Sequence, residues 1–325
     1  MERVFIIGIG RSGSTLLSQC LGNHPDLLET PEVPLFSFFY TWRNNHQWNK
    51  IWMKEVKEYM RRIQAKHTGH PWIFRTDELL IISESISYYE AMNQLSLLFQ
   101  KKNAHATAQP LKIQWVVDKN PVHTFFVSAY LKRFPKAKAI FLVRDPRDNL
   151  ASRMQSENLR NGRKNDWQID ILRWKRYQLM GEKLLQKHPE QIQLLRYEDL
   201  VNYPEEELRS LFSFLGVSTD KDFLIKGAHA NESHSNGRLF KKYEDLMKPI
   251  NTVSVGKWKR VLTKIQADTL EKTCANEMRL FGYSPSLNLP QGRLTLKSTL
   301  IEWWYWKKEM LIYRLPPGIK INRIG

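Results

Sequence analysis

The sequence has very little cysteine, and it lacks any long hydrophobic run. Cys20 and Cys274 are the only two cysteines in 325 residues, so a disulfide framework is excluded and a reducing compartment is expected. No stretch reaches the ~18 apolar residues that a membrane span needs. The first apolar run, Val4–Ile9, is also too short for a signal-peptide core. These absences predict a cytoplasmic protein.

Low-complexity linkers and internal repeats are also missing. Glycine and proline contribute only fifteen residues each, while 42% of the residues are hydrophobic and 26% are charged. This balance can bury a core and excludes disordered and collagen-like classes. Positive charge is abundant, because 50 Lys and Arg against 33 Asp and Glu give a net charge of +17. The excess predicts an anionic partner, such as nucleotide phosphates, an acidic acceptor, nucleic acid or a lipid surface.

Short apolar runs alternate with helical segments along the chain. The runs predict buried strands at residues 4–7, 113–117, 139–143 and 192–195. Helices are predicted at Leu16–Leu21, Trp48–Ile63, Leu79–Gln100 and from Pro204 to a stop at Gly216. The alternation predicts an α/β fold, with three α/β/α layers around a central parallel sheet. Polar residues follow each run, at the edge where such sheets bind ligands.

A glycine loop follows the first predicted strand. Gly8-x-x-x-x-Gly13-Ser14-Thr15 has the spacing of a phosphate-binding P-loop, in which backbone N–H groups at a helix N-terminus meet an anion. Ser14 stands where a nucleoside triphosphatase or kinase has its phosphate-binding lysine, which argues against those enzymes. Arg11 is the candidate replacement for that charge. A tight turn without a ligand is the competing interpretation.

A second basic constellation follows the strand predicted at 139–143. Arg144, Arg147 and Ser152 bring two guanidinium groups and a hydroxyl near one strand end. The planar, permanently charged fork of arginine suits phosphate oxygens. The competing interpretation is a surface ion pair between Arg144 and Asp145, which would contribute little.

Over most of residues 4–285, the sequence resembles the sulfotransferases that use 3′-phosphoadenylyl sulfate (PAPS). The motifs are most similar to the tyrosylprotein sulfotransferase branch and its bacterial relatives. They are Arg11–Leu16 with Asn23–Pro25, Asp118–Pro121, Val143–Asp145, Tyr197–Leu200, Lys248–Asn251, Gly256–Trp258 and Gly282–Pro285. The resemblance implies a P-loop-like sulfotransferase domain over residues 1–285, followed by a C-terminal extension over residues 286–325.

The resemblance also implies a mechanism and a set of site residues. A sulfuryl group would pass in line from PAPS to the hydroxyl of an acceptor, and the transfer would need no metal. The acceptor would be a saccharide, a lipid-linked group or a phenol. Glu32 is the expected base, with Glu29 as the neighbouring alternative, and Lys119 and Arg11 are expected to supply positive charge at the transferring group. Nucleotide binding is expected from Arg11, Ser12, Gly13, Ser14, Thr15, Arg144, Ser152, Tyr197 and Lys257.

One position departs from the tyrosylprotein branch. That branch has a catalytic serine shortly before its Lys-Pro-x-Asn segment, whereas this chain has Lys241-Lys242-Tyr243 at the matching place. Ser233 and Ser235 lie nearby, but neither is in register, so the replacement stays open. The departure weakens the hypothesis of a tyrosine acceptor.

Two other function classes fit parts of the sequence. A P-loop kinase with a degenerate loop would use ATP and Mg²⁺, but the serine at the lysine position argues against it. A nucleic-acid-binding protein would explain the +17 charge and the 11 tryptophans. No recognised nucleic-acid-binding module is present, so no nucleic-acid partner is expected.

The C-terminal extension is basic and aromatic. Residues 286–325 contain seven Lys and Arg and two acids, a net charge of +5, and Trp303, Trp304, Tyr305 and Trp306 lie in the middle. Such a helix is typical of a segment that lies on a membrane surface, here through residues 293–315. The competing interpretation is that the tryptophans dock on the domain or on the partner subunit of a homodimer.

Overall fold

The architecture is built around one parallel sheet. The computed structural model describes residues 1–30, 32, 88–103, 113–155, 167–221 and 250–286, together with 296, 299–301, 303, 304, 306 and 307. Within these residues, five strands pair in the order β2-β3-β1-β4-β5, and every pairing is parallel. The strands are β1 (Glu2–Ile7), β2 (Leu27–Glu29), β3 (Trp115–Lys119), β4 (Lys138–Val143) and β5 (Ile192–Arg196).

Helices connect the strands and cover the sheet. In chain order they are α1 (Ser14–Gly22), α2 (Tyr88–Asn103), α3 (Val127–Arg133), α4 (Pro146–Gln155), α5 (Trp167–Lys187), α6 (Tyr197–Asn202), α7 (Pro204–Leu215), α8 (Trp258–Val261) and α9 (Lys264–Leu280). A short 3₁₀ helix, Pro121–Phe125, joins β3 to α3.

Both faces of the sheet are buried, which explains why the strands are continuous apolar runs. Along β1, Phe5 and Ile7 belong to one core, and Val4 and Ile6 belong to the other. Side chains of α2, α3, α5 and α9 complete the first core, and those of α1, α6 and α7 complete the second. The predicted three-layer α/β/α arrangement with a central parallel sheet is therefore confirmed.

Close packing of α5 on β4 fixes the strand end that leads into the functional site. A Cβ atom on Gly181 would lie 2.0 Å from the Phe141 ring, so only glycine allows this approach. The Trp174 indole N–H donates to the Arg144 carbonyl at 3.1 Å. Helix α5 thereby holds the backbone of Arg144, the first residue after β4.

The predicted elements match the structure where the pattern is strong. Helix α7 spans Pro204–Leu215, and Gly216 ends it in the left-handed conformation with φ 73°. The helix predicted over Leu79–Gln100 corresponds to α2, which ends at Asn103. The prediction over Trp48–Ile63 falls outside the described residues. Strand β2 was not predicted, because its three residues are too few to show an alternating pattern.

The two cysteines lie in opposite cores of the sheet. Cys20 belongs to the core with α1, and Cys274 belongs to the core with α9, and both are free and fully buried. Burial raises the pKa of the Cys20 thiol to about 12. The two thiols therefore form no disulfide with each other. In the part of the chain that the structure describes, no helix is both long enough and apolar enough to cross a membrane.

Candidate functional site

The carboxyl edge of the sheet brings the predicted site residues together. The glycine loop follows β1, Lys119 ends β3, Arg144 follows β4 and Tyr197 follows β5. Glu32 lies three residues after the end of β2. Because all five strands are parallel, these segments leave the sheet at the same edge. Across that edge, the strand order arranges them spatially as Glu32, Lys119, the glycine loop, Arg144 and Tyr197.

The glycine loop requires glycine at two positions. Gly8 has φ 127° and Gly13 has φ 95°, in the region that side chains avoid. A Cβ atom on Gly8 would lie 2.3 Å from the Leu142 carbonyl oxygen, and one on Gly13 would lie 2.4 Å from the Tyr197 ring. Arg11, between them, also has a positive φ of 72°. These close contacts and positive φ angles fix the conformation of the loop, which leads directly into α1.

Side chains of helix α4 hold this loop by hydrogen bonds. The Asn149 side-chain amide donates to the Gly10 carbonyl and to the Ser12 hydroxyl, both at 3.1 Å. The Arg153 guanidinium donates to the same carbonyl at 3.1 Å, bonds Asn149 and pairs with Asp170 at 3.4 Å. Burial lowers the pKa of Arg153. Arg153 thus supports the loop.

Lys119 and Glu32 meet beside the start of α1. The Lys119 ammonium donates to the Thr15 hydroxyl at 3.1 Å and lies 3.9 Å from a Glu32 carboxylate oxygen. Lys119 is buried, whereas 49% of the Glu32 side chain is exposed. Glu29 is buried and accepts a hydrogen bond from Ser18 of α1 at 2.8 Å. Of the two acids considered as the base, Glu32 is therefore the one beside Lys119 and open to solvent.

Arg144 contacts the opposite side of the glycine loop. Its guanidinium donates to the Arg11 carbonyl at 3.2 Å and to the Ser254 carbonyl at 2.6 Å, and it stacks on Tyr197 with 4.3 Å to the ring centroid. Its Nε is buried and has no hydrogen-bond partner among the residues that the structure describes. Arg11 in turn donates to the Ser152 hydroxyl at 3.2 Å. A buried cation with an unpaired N–H is suited to an anionic ligand.

Arg147 does not join this cluster. It pairs with Asp145 at 2.6 Å and with Glu271 of α9 at 2.8 Å, and it stacks on Trp258 at 4.7 Å. The pair with Glu271 fastens α4 to α9. The surface pair considered between Arg144 and Asp145 is not formed. The Asp145 carboxylate instead accepts hydrogen bonds from the backbone N–H and the guanidinium of Arg147.

Asp148 is a residue of this region that sequence reasoning missed. Its two carboxylate oxygens accept the backbone N–H groups of Gly256 at 2.7 Å and Trp258 at 2.8 Å. Burial raises the pKa of Asp148, and these two N–H groups offset part of that rise. The signal was available, because Asp148 lies between Arg144 and Ser152 in the same motif. Lys257, a predicted nucleotide ligand, is half-buried between the two bonded residues.

Some predicted positions fall outside the described residues. They are Ser233, Ser235, Lys241–Tyr243 and the Lys248-Pro249 pair, so the question of the missing serine stays where the sequence left it. Among the described ranges, no three His, Cys, Asp or Glu side chains form a group that could hold a metal ion.

The chain belongs to the sulfotransferase family, whose sequence profile matches residues 3–221. It is therefore an enzyme of the transferase class that moves sulfuryl groups. The sequence-based identification of this family is confirmed, and so is its resemblance to the tyrosylprotein branch, as the next comparisons show.

Curated relatives include protein-tyrosine sulfotransferase A of Caenorhabditis elegans, the Drosophila melanogaster enzyme and protein-tyrosine sulfotransferase 2 of Gallus gallus. Each is 25% identical over 88–89% of this chain. The chain spans 68%, 53% and 71% of their respective lengths.

Two solved structures are similar in fold. The sulfotransferase domain from the curacin biosynthetic pathway covers 87% of this chain and 98% of that domain, at TM-score 0.57 and 19% identity. The sulfotransferase domain of the Synechococcus PCC 7002 olefin synthase covers 85% and 94%, at TM-score 0.53 and 20% identity. These likenesses support the P-loop-like α/β fold.

We expect Gly13→Ala to destabilise the protein, because alanine would adopt a left-handed conformation and its Cβ would meet Tyr197. The free energy of unfolding should fall by at least about 1–2 kcal/mol in urea denaturation. Gly10→Ala is the matched control, since its nearest neighbour would be 3.6 Å from the new Cβ. Equal stabilities of the two variants would contradict the described loop conformation.

Proposed function

We propose that the enzyme transfers the sulfuryl group of PAPS to an acceptor hydroxyl, in line and without a metal. One observation carries this proposal: the glycine loop is contacted from both sides along the sheet edge. Lys119, with Glu32 beside it, bonds the first turn of α1, and Arg144, with Tyr197 beneath it, bonds the loop backbone. The arrangement suits a ligand with a transferable group at one end and a nucleotide at the other.

The residues fit a phosphosulfate nucleotide. The loop presents backbone N–H groups at the start of α1, where the helix dipole favours an anion. The buried Arg144 retains an unpaired Nε, and Ser152 lies within hydrogen-bonding distance of Arg11. We assign the 5′-phosphosulfate to the loop residues Ser12, Gly13, Ser14 and Thr15, and the 3′-phosphate to Arg144, Ser152 and Lys257. Tyr197, stacked on Arg144, is assigned to nucleotide binding as well.

The proposed transfer balances without a further reactant. The bond between sulfur and the bridging oxygen of the 5′-phosphate breaks, and a bond between sulfur and the acceptor oxygen forms. Glu32 accepts the proton of the acceptor hydroxyl. Lys119 and Arg11 stabilise the negative charge that develops on the bridging oxygen and the sulfonate. Adenosine 3′,5′-bisphosphate and the sulfated acceptor are the products.

We propose residues 1–285 as the catalytic domain. Support comes from Tyr283, whose hydroxyl donates to the buried Glu198 carboxylate at 2.7 Å, and from α9, which packs in the same core as α5. A reducing compartment stays a prediction from the low cysteine content.

The acceptor hydroxyl belongs to a saccharide, a lipid-linked group or a phenol. The relatives named protein-tyrosine sulfotransferases support a phenolic hydroxyl. The Lys241-Lys242-Tyr243 departure counts against a tyrosine residue as the acceptor. Transfer of labelled sulfonate from PAPS to panels of sugars, lipids, phenols and tyrosine peptides separates these classes directly.

The nucleotide assignment is tested by calorimetry with adenosine 3′,5′-bisphosphate and adenosine 5′-monophosphate. The wild type should bind the bisphosphate much more tightly. Arg144→Ala should weaken the bisphosphate by about 10- to 100-fold, which is the usual size of a lost hydrogen bond to a charged group, and should weaken the monophosphate far less. Arg209→Ala is the control, because that arginine is exposed on α7. Equal losses for both nucleotides would remove Arg144 as the 3′-phosphate ligand.

The base is tested by comparing two isosteric variants. Glu32→Gln should keep normal bisphosphate affinity and lose turnover by roughly 100-fold or more, because proton transfer to a positioned base is worth that much. Glu29→Gln should retain turnover, since Glu29 bonds Ser18 inside the fold. Single-turnover kinetics with PAPS measure both. The opposite pattern would make Glu29 the base.

We also propose that the C-terminal extension binds an anionic lipid surface. Trp306 stacks near Arg176 of α5 at 4.8 Å, whereas Trp303 and Trp304 are 47% and 53% exposed. Leu296 and Leu300 are exposed as well, at helical spacing from the two tryptophans. Exposed tryptophan and leucine within a segment of net charge +5 match the composition of an interfacial helix.

Vesicle sedimentation tests this second proposal. At low salt, the protein should sediment with phosphatidylserine vesicles and remain in solution with neutral phosphatidylcholine vesicles. The double change Trp303→Ser with Trp304→Ser should reduce binding strongly, and Tyr203→Ser, at a residue 57% exposed elsewhere, should not. Absence of binding to anionic vesicles overturns the proposal, and self-association lost in the double variant would favour the homodimer instead.

A further inference from the structure

The 254–258 loop is attached to α4 and to the turn before it by three hydrogen bonds. Its carbonyl at Ser254 accepts the Arg144 guanidinium at 2.6 Å, and its N–H groups at Gly256 and Trp258 donate to Asp148 at 2.7 and 2.8 Å. The loop therefore receives a donor and an acceptor from positions four residues apart in the chain. Both contacts end on the loop backbone, so they fix its position whatever its side chains are.

Asp148 makes this attachment at the expense of burying a charge. Only 2% of the residue is exposed, and both of its side-chain hydrogen bonds in the described structure go to the loop. A buried carboxylate is costly unless its oxygens are bonded, and an apolar side chain would pack α4 without that cost. An apolar side chain could not accept two backbone N–H groups. The carboxylate is therefore explained by the loop it holds and not by the packing of the helix.

The two bonds lie on either side of Lys257. Gly256 precedes this lysine and Trp258 follows it, so Asp148 fixes the backbone on both sides of the side chain. Gly256 has φ 71°, which gives the turn its direction. Trp258 is held a second time, because its ring stacks on the Arg147 guanidinium at 4.7 Å. Asp148 thus holds the backbone on both sides of Lys257, and Arg144 holds the same loop through the Ser254 carbonyl.

We propose that Asp148 is a positioning residue that sets the selectivity of the enzyme for the 3′-phosphate, by holding the 254–258 loop against Arg144. The inference rests on the proposed function, because it assumes that Arg144 and Lys257 bind this phosphate. Asp148 itself acts through the loop and does not contact the nucleotide. The 5′ end of the ligand, bound by the glycine loop, is outside its reach.

The experiment measures the ratio of affinities for adenosine 3′,5′-bisphosphate and adenosine 5′-monophosphate by calorimetry on the full chain. Asp148→Asn keeps the shape of the side chain but loses one acceptor oxygen and the charge. We expect bisphosphate affinity to fall by about 10- to 100-fold, the usual effect of one lost charged hydrogen bond, because Lys257 would no longer be held against the 3′-phosphate, while monophosphate affinity changes by less than about threefold. In PAPS turnover, KM should rise by a similar factor and kcat should change little.

A second variant approaches the same attachment from the loop. Gly256→Ala strains the left-handed turn, and no atom lies within 4 Å of the added Cβ, so the fold should tolerate it. It should lower the bisphosphate-to-monophosphate ratio in the same direction as Asp148→Asn. Glu277→Gln is the matched control: it removes a buried carboxylate that pairs with Lys175 at 3.3 Å, and it should leave the ratio unchanged.

The outcomes separate the two proposals. A wild type that binds both nucleotides equally overturns the 3′-phosphate assignment and this inference with it. A wild type that discriminates, with Asp148→Asn and Gly256→Ala discriminating equally well, overturns the inference and leaves the function standing. Equal weakening of both nucleotides in these variants would mean that Asp148 only stabilises the fold, which also overturns the inference.

Discussion

The functional edge of this enzyme depends on the hydrogen bonds of one short helix, α4. Asn149 and Arg153 bond the glycine loop, Asp148 bonds the 254–258 loop and Arg147 pairs with α9. Three separate parts of the chain are thereby held to ten residues that are themselves largely buried. Because buried polar groups are costly when unpaired, these contacts together hold the three segments in fixed positions relative to α4.

Much of this could be predicted from local patterns. The strands are continuous apolar runs, so their place in a covered parallel sheet follows from the sequence. The glycine loop and the residues after each strand are also local signals, and the structure brings Glu32, Lys119 and Arg144 to one edge. Strand β2, which precedes Glu32, has only three residues and shows no periodicity. The place of Glu32 at the sheet edge therefore did not follow from the sequence pattern.

The partners of charged side chains were beyond a sequence argument. Arg144 and Arg147 are the same residue type in one motif, yet within the described part of the chain Arg144 has an unpaired Nε and Arg147 pairs with two carboxylates. That difference depends on Glu271, more than a hundred residues away. Glu29 and Glu32 likewise differ in their surroundings, since the buried Glu29 accepts a hydrogen bond from Ser18 and the half-exposed Glu32 lies beside Lys119. Pairing with residues distant in the sequence, not residue type, therefore distinguishes these charged side chains from one another.

The strand order fixes the distances between the segments that leave the sheet edge. Neighbouring strands lie about 4.8 Å apart, so the span from β2 to β5 is roughly 19 Å, a length set by backbone hydrogen bonds alone. In the proposed function, the acceptor hydroxyl is activated at the β2 end of that span and the nucleotide is bound at the β5 end, with the glycine loop after β1 between them. Side-chain substitutions can change what binds at the end of each strand, but the distances between the strand ends are fixed by the sheet.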